Sequence, residues 1–329
     1  MDDTVLVTGG CGFLGSAIVR ALVERGRRVR VLALPSEPTD NVAGLDVEIV
    51  RGNVLSRQDA ERAVDGVSTV FHAAAIYKSW MPDPTAMYEV NSSGTFNMLE
   101  AARRAGARVV YTASIVALGR PTEGTVGNEA TPYEGWDIDF PYSRAKYHSY
   151  NIARDFARWG LDVRVVCPGV VFGPGDIGPT PSGKLIINSL KGSPPVYMDG
   201  GASYVDVRDA AEVHALAAER GRPGETYLAT AHNLTNLELL QAIGRATGKE
   251  RRLFKLPVGM ARAAVAGMDR VARRTGREPL LSRSFFEYSL KPSFYSNEKA
   301  RSELGASFRP VDETLRDAIA YFRERGLLR

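Results

Sequence analysis

The sequence predicts an α/β protein: a Rossmann-type doubly wound parallel sheet with a smaller, mainly helical C-terminal substrate lobe. Over the first half of the 329 residues, short apolar runs typical of buried parallel strands alternate with amphipathic helical patterns. The first run, Thr4–Val7, leads directly into the glycine-rich segment Thr8–Gly15. The second half contains long helical patterns and few strand-like runs.

The first unit is predicted to be a strand, a glycine turn and a helix. Apolar residues recur with helical spacing over 13–22, directly after the turn. Gly9, Gly12 and Gly15 would allow a tight turn, the close approach of a pyrophosphate, and close packing of the helix on the strand. A structural turn that binds no ligand is the alternative interpretation.

Further strands follow in the same rhythm. They are predicted at Arg28–Ala33, Val47–Val50, Thr69–His72, Val109–Thr112 and Val163–Val166, with helices over 91–105 and 142–159. The ligand crevice of such a sheet lies at the carboxyl ends of its strands. The residues at these ends are Asn53, Val54, Ala73, Ala74, Ala75, Ser114, Cys167, Pro168 and Gly169.

Tyr142 and Lys146 are one turn apart on the same face of a predicted helix. An unperturbed tyrosine, with a pKa of about 10, is a poor acid-base catalyst at neutral pH, and a nearby cation favours its phenolate. Taken alone, this spacing also fits an ordinary surface pair. Together with the glycine-rich segment, it predicts a redox enzyme that binds a dinucleotide.

Five motifs then occur in a fixed order. They are Thr8-Gly-x-x-Gly-x-x-Gly15, His72-Ala-Ala-Ala75, Asn91, Ser114 and Tyr142-x-x-x-Lys146. Through them the chain resembles the extended short-chain dehydrogenase/reductase family, of the NAD-dependent epimerase/dehydratase type. Segments 80–84, 91–95 and 173–176 resemble the branch that holds dihydroflavonol reductases and 3β-hydroxysteroid dehydrogenases, and also hopanoid-associated sugar epimerases.

The resemblance implies roles for single residues. Ser114 would hold the substrate carbonyl oxygen, with Thr112 as the fallback, and Tyr142 would deliver or remove the proton there. Lys146 would hold the nicotinamide ribose and lower the tyrosine pKa, and Asn91 would support the lysine or a relay water. The residues expected to bind the cofactor are Gly9, Gly12, Phe13, Leu14, Gly15, Asn53, Val54, Ala73, Ala74, Ala75, Tyr142, Lys146, Pro168 and Val170.

The choice of cofactor depends on the segment after the second strand. NAD-specific Rossmann sites place Asp or Glu there for the ribose 2′-hydroxyl, whereas Arg accommodates a 2′-phosphate. Leu32–Ser36 contains neither, although Arg28, Arg30 and Arg51 are near in sequence. We therefore favour NADP, with NAD as the alternative. Asn53 replaces the aspartate that the family usually places beside adenine, and an amide can still bond adenine.

The C-terminal part is expected to carry substrate specificity. Its predicted strands are Ser203–Asp206 and Thr226–Ala229, and its predicted helices span 237–247, 258–274, 297–304 and 311–325. Pro174–Pro181 is a candidate lid, or else a plain connection between domains. The predicted domains are therefore a dinucleotide-binding domain over 1–169, to which 203–229 returns, and a substrate lobe over 170–202 and 230–329.

Nucleotide-sugar members of the family place an arginine just before the strand equivalent to 204–206. The chain has Gly200–Ser203 there, and Arg208 lies beyond the strand. Because a diphosphate needs positive charge nearby, epimerase and dehydratase functions are disfavoured. Six large side chains in strand-end loops fit a pocket for a largely apolar ketone, or else the core. They are Met81, Met87, Trp136, Phe140, Phe172 and Tyr204.

Composition limits the partners. The net charge is +4, and dispersed basic residues give no reason to expect nucleic-acid binding. Cys11 and Cys167 have neither metal-ligand nor disulfide-framework spacing, so we expect no metal and a reducing cytoplasm. There is no signal-peptide pattern and no transmembrane run of ~18 apolar residues.

Two questions about larger assemblies remain open in the sequence. Segment 253–272 is apolar with interspersed cations; we expect it to pack on its own domain, with peripheral membrane contact as the alternative. The resemblance also implies a homodimer through helices around 87–104 and 142–159.

The function predicted from all of this is an NAD(P)-dependent ketone reductase or secondary-alcohol dehydrogenase acting on a small molecule. A nucleotide-sugar epimerase or dehydratase that keeps NAD bound is the main alternative. A non-catalytic dinucleotide sensor is the third, but such a sensor would not need Ser114, Tyr142 and Lys146.

Overall fold

The computed structural model describes residues 4–192 and 194–328, and it confirms the Rossmann-type α/β fold. Its strands are β1 (Thr4–Thr8), β2 (Arg28–Ala33), β3 (Val47–Arg51), β4 (Thr69–His72), β5 (Arg108–Thr112), β6 (Val163–Pro168), β7 (Val170–Phe172), β8 (Val196–Tyr197), β9 (Gly201–Asp206), β10 (Thr226–Ala229), β11 (His232–Thr235) and β12 (Phe254–Lys255). Its helices are α1 (Phe13–Glu24), α2 (Arg57–Val64), α3 (Thr85–Tyr88), α4 (Thr95–Ala105), α5 (Pro141–Arg158), α6 (Pro181–Leu190), α7 (Val207–Arg220), α8 (Asn236–Thr247), α9 (Val258–Thr275), α10 (Arg283–Ser289), α11 (Glu298–Leu304) and α12 (Val311–Glu324).

Seven parallel strands form the central sheet, in the order β3-β2-β1-β4-β5-β6-β10. Strand order runs outward from β1 in both directions, so the chain reverses its direction of winding between β1 and β4. A crevice forms at such a switch point, outside the carboxyl ends of the strands. The predicted strands from β1 to β6 are all confirmed, within two residues at each end.

Both faces of the central sheet are covered by helices, which explains why its inner strands β1 and β4 are buried and largely apolar. Val5 and Val7 point into a core shared with α1 and α7, whereas Leu6 points into the opposite core, shared with α2, α4 and α5. All three side chains are at most 3% exposed. The alternation along one strand therefore fixes which helices lie on which face.

The remaining strands lie outside the central sheet. β7 pairs in parallel with β9, β9 pairs antiparallel with β11, and β8 pairs in parallel with β12. Although β9 was expected to return to the nucleotide domain, it lies in this second sheet, while α7 packs on α1 and β10 joins the central sheet. The limits of the two domains stay a prediction, and residues 1–3, 193 and 329 lie outside the described residues.

The helices predicted in the C-terminal half are confirmed within one residue at each end as α8, α9, α11 and α12. The helix predicted over 91–105 is divided: Glu89–Gly94 is π-helical, and α4 follows it. Single π-helical turns are rare and often occur at functional sites. Gly94 brings this turn close to β3, because a Cβ atom there would lie 2.7 Å from Cγ2 of Val54.

Candidate functional site

A cleft of about 1290 Å³ lies at the carboxyl ends of the central strands. One wall contains the glycine-rich segment, the residues after β4, and the ends of β5 and β6. The opposite wall comes from α6, α8 and residues 278–293. The predicted site residues that line it together are Gly9, Gly12, Phe13, Leu14, Gly15, Ala73, Ala74, Ala75, Ser114, Tyr142, Lys146, Pro168 and Val170.

The glycine-rich segment has three glycines with different physical roles. Gly9 has φ +67°, and a Cβ atom there would lie 2.8 Å from the Ala74 backbone. A Cβ atom on Gly15 would overlap the carbonyl oxygen of Gly9. At Gly12, by contrast, a Cβ atom would meet only that oxygen, at 3.2 Å. Gly9 and Gly15 therefore hold the turn together, while Gly12 leaves open space at the cleft.

The N-terminus of α1 suits an anion. Its N-cap, Gly12, provides no side-chain cap, and the first turn contains no acidic residue. The first amides of a helix have no partner within the helix, and the helix dipole adds partial positive charge there. Because Gly12 and Phe13 also line the cleft, these residues fit the pyrophosphate of a dinucleotide.

A buried hydrogen-bond network joins β1, β4 and the π-helical turn. The Thr8 hydroxyl lies 2.7 Å from Nδ1 of His72, and Nε2 of His72 lies 3.1 Å from the Thr95 hydroxyl. The Ala74 amide donates to Thr8, and Thr95 donates to the Asn91 carbonyl oxygen. His72 and Thr95 are each 1% exposed.

The network has one consistent assignment of protons. Thr95 uses its single hydroxyl proton on the Asn91 carbonyl, so Nε2 of His72 must donate to Thr95. Burial lowers the pKa of His72 to about 3, so its ring is neutral and Nδ1 accepts from Thr8. The network was not predicted, although His72 and Thr95 lay in quoted motifs. It fixes the loop that faces the glycine-rich segment.

Ser114 and Tyr142 meet in the cleft. Tyr142 is 8% exposed and lies in the first turn of α5, where the nearby Ser114 side chain acts to lower the pKa of its phenol. Ser114 also accepts from the Val116 amide at 3.4 Å and thereby begins a short 3-10 helix. The ring of Tyr77 packs on Tyr142, with centroids 4.9 Å apart. The hydroxyl groups of Ser114 and Tyr142 therefore lie near each other, beside the aromatic ring of Tyr77.

The pKa of Tyr142 moves in the direction opposite to the one expected. Burial raises it well above its ordinary value, the charge of Tyr77 adds to the rise, and the Ser114 side chain opposes it. Lys146 was expected to lower this pKa, but its effect is not among the largest ones in this structure. Desolvation of the phenolate outweighs the attraction of the cation, because the phenol is enclosed by rings. Tyr142 is therefore a phenol at neutral pH.

Lys146 is buried, at 4% exposed, on the same face of α5. Its ammonium group donates to the carbonyl oxygen of Thr112 at 3.0 Å. Burial lowers its pKa to about 8. An ammonium group has three protons, so this bond to β5 orients the lysine and leaves two protons for a ligand in the cleft.

Thr112 does not share the position of Ser114. His214 donates from Nδ1 to the Ala210 carbonyl at 2.7 Å, and its Nε2 accepts from the Thr112 hydroxyl at 2.9 Å. Burial lowers the pKa of His214 to about 4, so the ring is neutral and this assignment holds. The hydroxyl of the fallback residue is thus used inside the fold.

Asn91 lies in the π-helical turn and is 1% exposed. Its side-chain oxygen accepts from the Ile76 amide at 2.8 Å, and its side-chain nitrogen donates to the Ile76 carbonyl at 3.2 Å. This pairing holds the loop after Ala73–Ala75, which lines the cleft. The structure therefore gives Asn91 a positioning contact with a loop and shows no bond from it to Lys146 among the described residues.

Asn53 and Val54 do not line the cleft. Val54 is 6% exposed and packs on Gly94, while the Asn53 side chain accepts from the Leu55 amide. Their predicted contact with the adenine stays a prediction. The sequence places Asn53 and Val54 just after β3. The π-helical turn packs over Val54, which lies outside the cleft lining.

Glu37 is a lining residue that the sequence analysis missed. It lies just beyond the Leu32–Ser36 segment, and its carboxylate accepts from the Leu34 amide at 3.0 Å. Arg51 donates to the carbonyl oxygens of Leu34 and Glu37, at 2.8 Å each. Burial raises the pKa of Cys11 to about 11, with a further rise from Glu37 and an opposing effect of Arg51. Both charges therefore act at the glycine-rich segment.

The wall opposite the catalytic candidates is largely apolar. Of the six side chains predicted for an apolar pocket, Phe140 and Tyr204 line the cleft. Met81, Met87 and Phe172 belong to core clusters, and Trp136 is 52% exposed on the surface. The aliphatic and aromatic residues that line the wall instead include Leu185, Leu190, Val196, Met198, Leu239, Leu240, Ile243, Leu281 and Phe285. They come from α6, α8 and α10 and from residues near β8 and α10, which a lone sequence does not place around a cleft.

Arg208 does not supply a cation for a diphosphate. Its guanidinium pairs with Asp206 and with Asp317, each at 2.7 Å, at the start of α7. It is not among the residues that line the cleft. The candidate lid over 174–181 is anchored, because Asn41 donates to both the Gly175 and Cys11 carbonyl oxygens. Its closing motion stays a prediction.

The chain matches known proteins over its whole length. The profile of the NAD dependent epimerase/dehydratase family matches residues 5–229. A putative dihydroflavonol 4-reductase from Synechocystis is 32% identical, covering 100% of this chain and 97% of that protein. Sterol demethylase protein B from Methylococcus capsulatus is 31% identical, covering 99% of this chain and 100% of that protein.

A solved structure shares the fold. It is PA4631, described as a nucleoside-diphosphate-sugar epimerase from Pseudomonas aeruginosa, with a TM-score of 0.83 and 28% identity over 100% of both chains. Within residues 4–192 and 194–328, no helix is both long and apolar enough to cross a membrane.

Proposed function

Because the chain belongs to the NAD dependent epimerase/dehydratase family, we propose that it is an NAD(P)-dependent reductase of a largely apolar ketone. The reverse reaction would oxidise a secondary alcohol. The observation that carries this proposal is that half-buried Ser114 and buried Tyr142 line one cleft together with a largely apolar wall. A named relative, the putative dihydroflavonol 4-reductase, supports reduction of a carbonyl.

Each residue of the site has its own role in the proposed reaction. When bound, the nicotinamide supplies the hydride to the carbonyl carbon, or accepts it in the reverse direction. Ser114 donates a hydrogen bond to the carbonyl oxygen, and Tyr142 transfers its phenolic proton to that oxygen as the negative charge develops. Lys146, held by Thr112, binds the ribose and stabilises the phenolate that remains.

The protonation state of Tyr142 favours the reductive direction. Its raised pKa keeps the phenol protonated at neutral pH, so the proton that reduction needs is present, although the phenol is then a weaker acid. Oxidation of an alcohol would require the phenolate, which burial disfavours. We therefore propose that reduction is the faster reaction at neutral pH.

The apolar wall supports a substrate with a hydrocarbon body. Burying an aliphatic surface against residues such as Leu240, Leu281 and Phe285 is favourable at about 25 cal/mol per Å². The pairing of Arg208 with two aspartates and the Gly200–Ser203 sequence argue against a diphosphate group beside β9, although Lys249 and Arg251 line another part of the cleft. A nucleotide-sugar epimerase is kept as the second candidate because PA4631, which shares the fold, is described as one.

For the cofactor, the structure adds Glu37 to the sequence argument. A carboxylate near the adenine ribose favours NAD, whereas Arg51 beside it favours the 2′-phosphate of NADP. Arg51 already binds two carbonyl oxygens in this loop. NADP stays our preference, and exchanging Glu37 for Gln is expected to strengthen NADPH binding relative to NADH.

A homodimer through α4 and α5 is also part of the proposal. Phe96 on α4 is 38% exposed and packs on Phe156, and Trp159 after α5 is 66% exposed. Exposed aromatic residues on neighbouring helices are typical of association surfaces.

The test is a fluorescence titration of purified protein with NADPH and with NADH, together with release of any bound dinucleotide by denaturation. We expect reversible NADPH binding to empty protein, followed by NADPH consumption with apolar ketones. Copurifying NAD and turnover without net redox change would instead favour the epimerase. Absence of binding to either dinucleotide would contradict both candidates.

A further inference from the structure

Positive charge is concentrated in one segment of the chain, which contains the local cluster Arg270, Arg273 and Arg274. Residues 249–277 contain nine Lys and Arg against two Asp and Glu, a net charge of +7. The whole chain carries +4, so the other residues sum to −3. The segment comprises the end of the loop after α8, strand β12 and helix α9. We call it the basic segment.

Several cations of the basic segment have no ion pair within residues 4–192 and 194–328. Arg262, Arg273 and Lys255 are paired, with Glu287, Asp269 and Asp199. The unpaired cations are Lys249, Arg251, Arg252, Arg270, Arg274 and Arg277. All six are exposed. Their charge is available to a partner.

Helix α9 presents an apolar stripe to solvent. Ala261, Val265 and Ala272 are buried, and the first two pack with Phe286. Met260 and Val271 are 65% and 60% exposed. Met260, Ala264, Gly267 and Val271 follow at intervals of four, three and four residues, so they form one outward stripe. Arg270 and Arg274 lie along one side of that stripe on the helical wheel.

The inner side of the same wall lines the cleft. Met198 and Leu281 pack against the buried face of α9 and also line the cleft. Next to them, Leu280 lines the cleft and is 76% exposed, the largest exposure among the large apolar side chains of residues 4–192 and 194–328. Lys249 and Arg251 line the cleft as well. The basic segment and the mouth of the cleft are therefore continuous.

We propose that the basic segment docks on an anionic lipid bilayer, with the stripe of α9 and Leu280 entering the headgroup region. A helix that lies in a bilayer interface combines an apolar face with Lys and Arg on its flanks. Anionic headgroups attract clustered cations at such a surface. The docked orientation brings the mouth of the apolar cleft to the lipid, from which a hydrocarbon-rich substrate can enter.

A bilayer fits these observations better than two other partners. A nucleic acid would use the cations but would gain nothing from exposed Met260, Val271 and Leu280. A second copy of the chain would bring the same +7 segment to a symmetric contact, where like charges repel. Only an anionic apolar surface complements both properties of the segment.

The test uses full-length protein and needs neither cofactor nor substrate, so its outcome is independent of the proposed reaction. Co-sedimentation is measured with vesicles of phosphatidylcholine alone and of phosphatidylcholine mixed with phosphatidylglycerol. We expect about tenfold stronger partitioning onto the anionic vesicles, decreasing as salt is raised. Equal partitioning, or none onto either, would overturn the proposal.

A pair of charge-matched variants locates the surface. Arg270→Glu/Arg274→Glu reverses the flank of α9, whereas Arg57→Glu/Arg323→Glu reverses two exposed cations elsewhere and changes the net charge equally. We expect the first to lose partitioning about tenfold and the second to keep it. Equal losses would mean that net charge alone drives binding, which would overturn the assignment to α9.

Two further measurements complete the design. The change Met260→Ser/Val271→Ser keeps every charge, and we expect it to weaken the partitioning that remains at high salt. Near-ultraviolet circular dichroism of each variant checks that folding is unchanged. Unaltered partitioning of this variant, or retention of a labelled oligonucleotide by protein that ignores anionic vesicles, would contradict docking on lipid.

Discussion

Behind one wall of the cleft, the side chains at the ends of β1 and β4 are buried and joined by hydrogen bonds, whereas the opposite wall is aliphatic and partly exposed. Thr8, His72 and Thr95 belong to the first kind, and Leu240 and Leu281 to the second. Buried polar networks hold one geometry, because each broken bond leaves a desolvated group unpaired. Apolar packing tolerates changes of shape far better.

This difference explains how one fold serves many substrates. The wall that contains Ser114, Tyr142 and Lys146 must hold hydroxyl and ammonium groups within hydrogen-bond distance of the reacting atoms. A small displacement of these groups lowers the reaction rate strongly. The apolar wall only has to match volume and hydrophobicity, so it can vary without loss of the fold. Mutations in the two walls should therefore have different effects.

The largest effect is expected from removing the proton donor. Tyr142→Phe should lower kcat/KM for ketone reduction about 10³-fold, because the developing oxyanion loses its acid, while dinucleotide binding is unchanged. Steady-state kinetics and a dinucleotide titration measure this. Tyr77→Phe, which changes the neighbouring ring in the same way, is the control and should change kcat/KM less than about threefold. Similar losses of kcat/KM in both variants would contradict the role of Tyr142 as the proton donor.

Replacing glycine by alanine should change the free energy of unfolding in opposite directions in two regions. Gly15→Ala puts a Cβ atom onto the Gly9 carbonyl and should cost about 1–3 kcal/mol of unfolding free energy. Gly267→Ala lies in α9, where a Cβ atom meets nothing within 4 Å, and should stabilise by about 0.5–1 kcal/mol. Urea denaturation measures both, and changes of the same sign would contradict the prediction.

The apolar wall should affect substrate binding more than the chemical step. Phe285 lines the cleft and packs on Phe140, with ring centroids 6.1 Å apart. Phe285→Ala should raise KM for an apolar ketone about tenfold and change kcat little. Phe308→Ala removes the same atoms from a side chain outside the cleft lining. A fall in kcat with unchanged KM at Phe285 would place this residue in the chemistry.

The smallest expected effect is a change in the rate of ketone reduction with pH. Burial lowers the pKa of Lys146 from 10.5 to about 8, so the ammonium is charged below pH 8 and loses its proton above it. Reduction should therefore fall to about half near pH 8 and decline further above it. Tyr142 keeps its proton over this range, because its pKa is raised.

The variant Lys146→Arg tests that assignment. A guanidinium stays charged throughout this range, so the decline near pH 8 should disappear even if the overall rate is lower. The measurement is the pH dependence of kcat/KM for the ketone. A decline that persists unchanged in Lys146→Arg would assign the titration to another group.

Much of the first half could be predicted because its signals are local. Apolar runs bounded by turns gave every strand from β1 to β6, and the glycine spacing gave the turn at Gly9–Gly15. The motif residues Ser114, Tyr142 and Lys146 follow strands or begin a helix, so topology brings them to one cleft. Periodicity also located the long helices α8, α9 and α12.

Other features escaped because they depend on contacts between distant segments. The short strands β7, β8, β11 and β12 have two to four residues each, too few for a periodic signal. The use of the Thr112 hydroxyl by His214 joins residues 102 positions apart. The sign of the Tyr142 shift depends on rings brought from loops on both sides of the cleft.

The sequence by itself therefore determined the sheet, the glycine turn and the identity of the polar groups, because periodicity and spacing act over a few residues. The tertiary structure decided which of these groups face the cleft, whether burial or charge sets each pKa, and which apolar side chains form the substrate wall. The physical reason is that desolvation and packing are properties of an enclosed volume, and an enclosed volume exists only once distant segments have met.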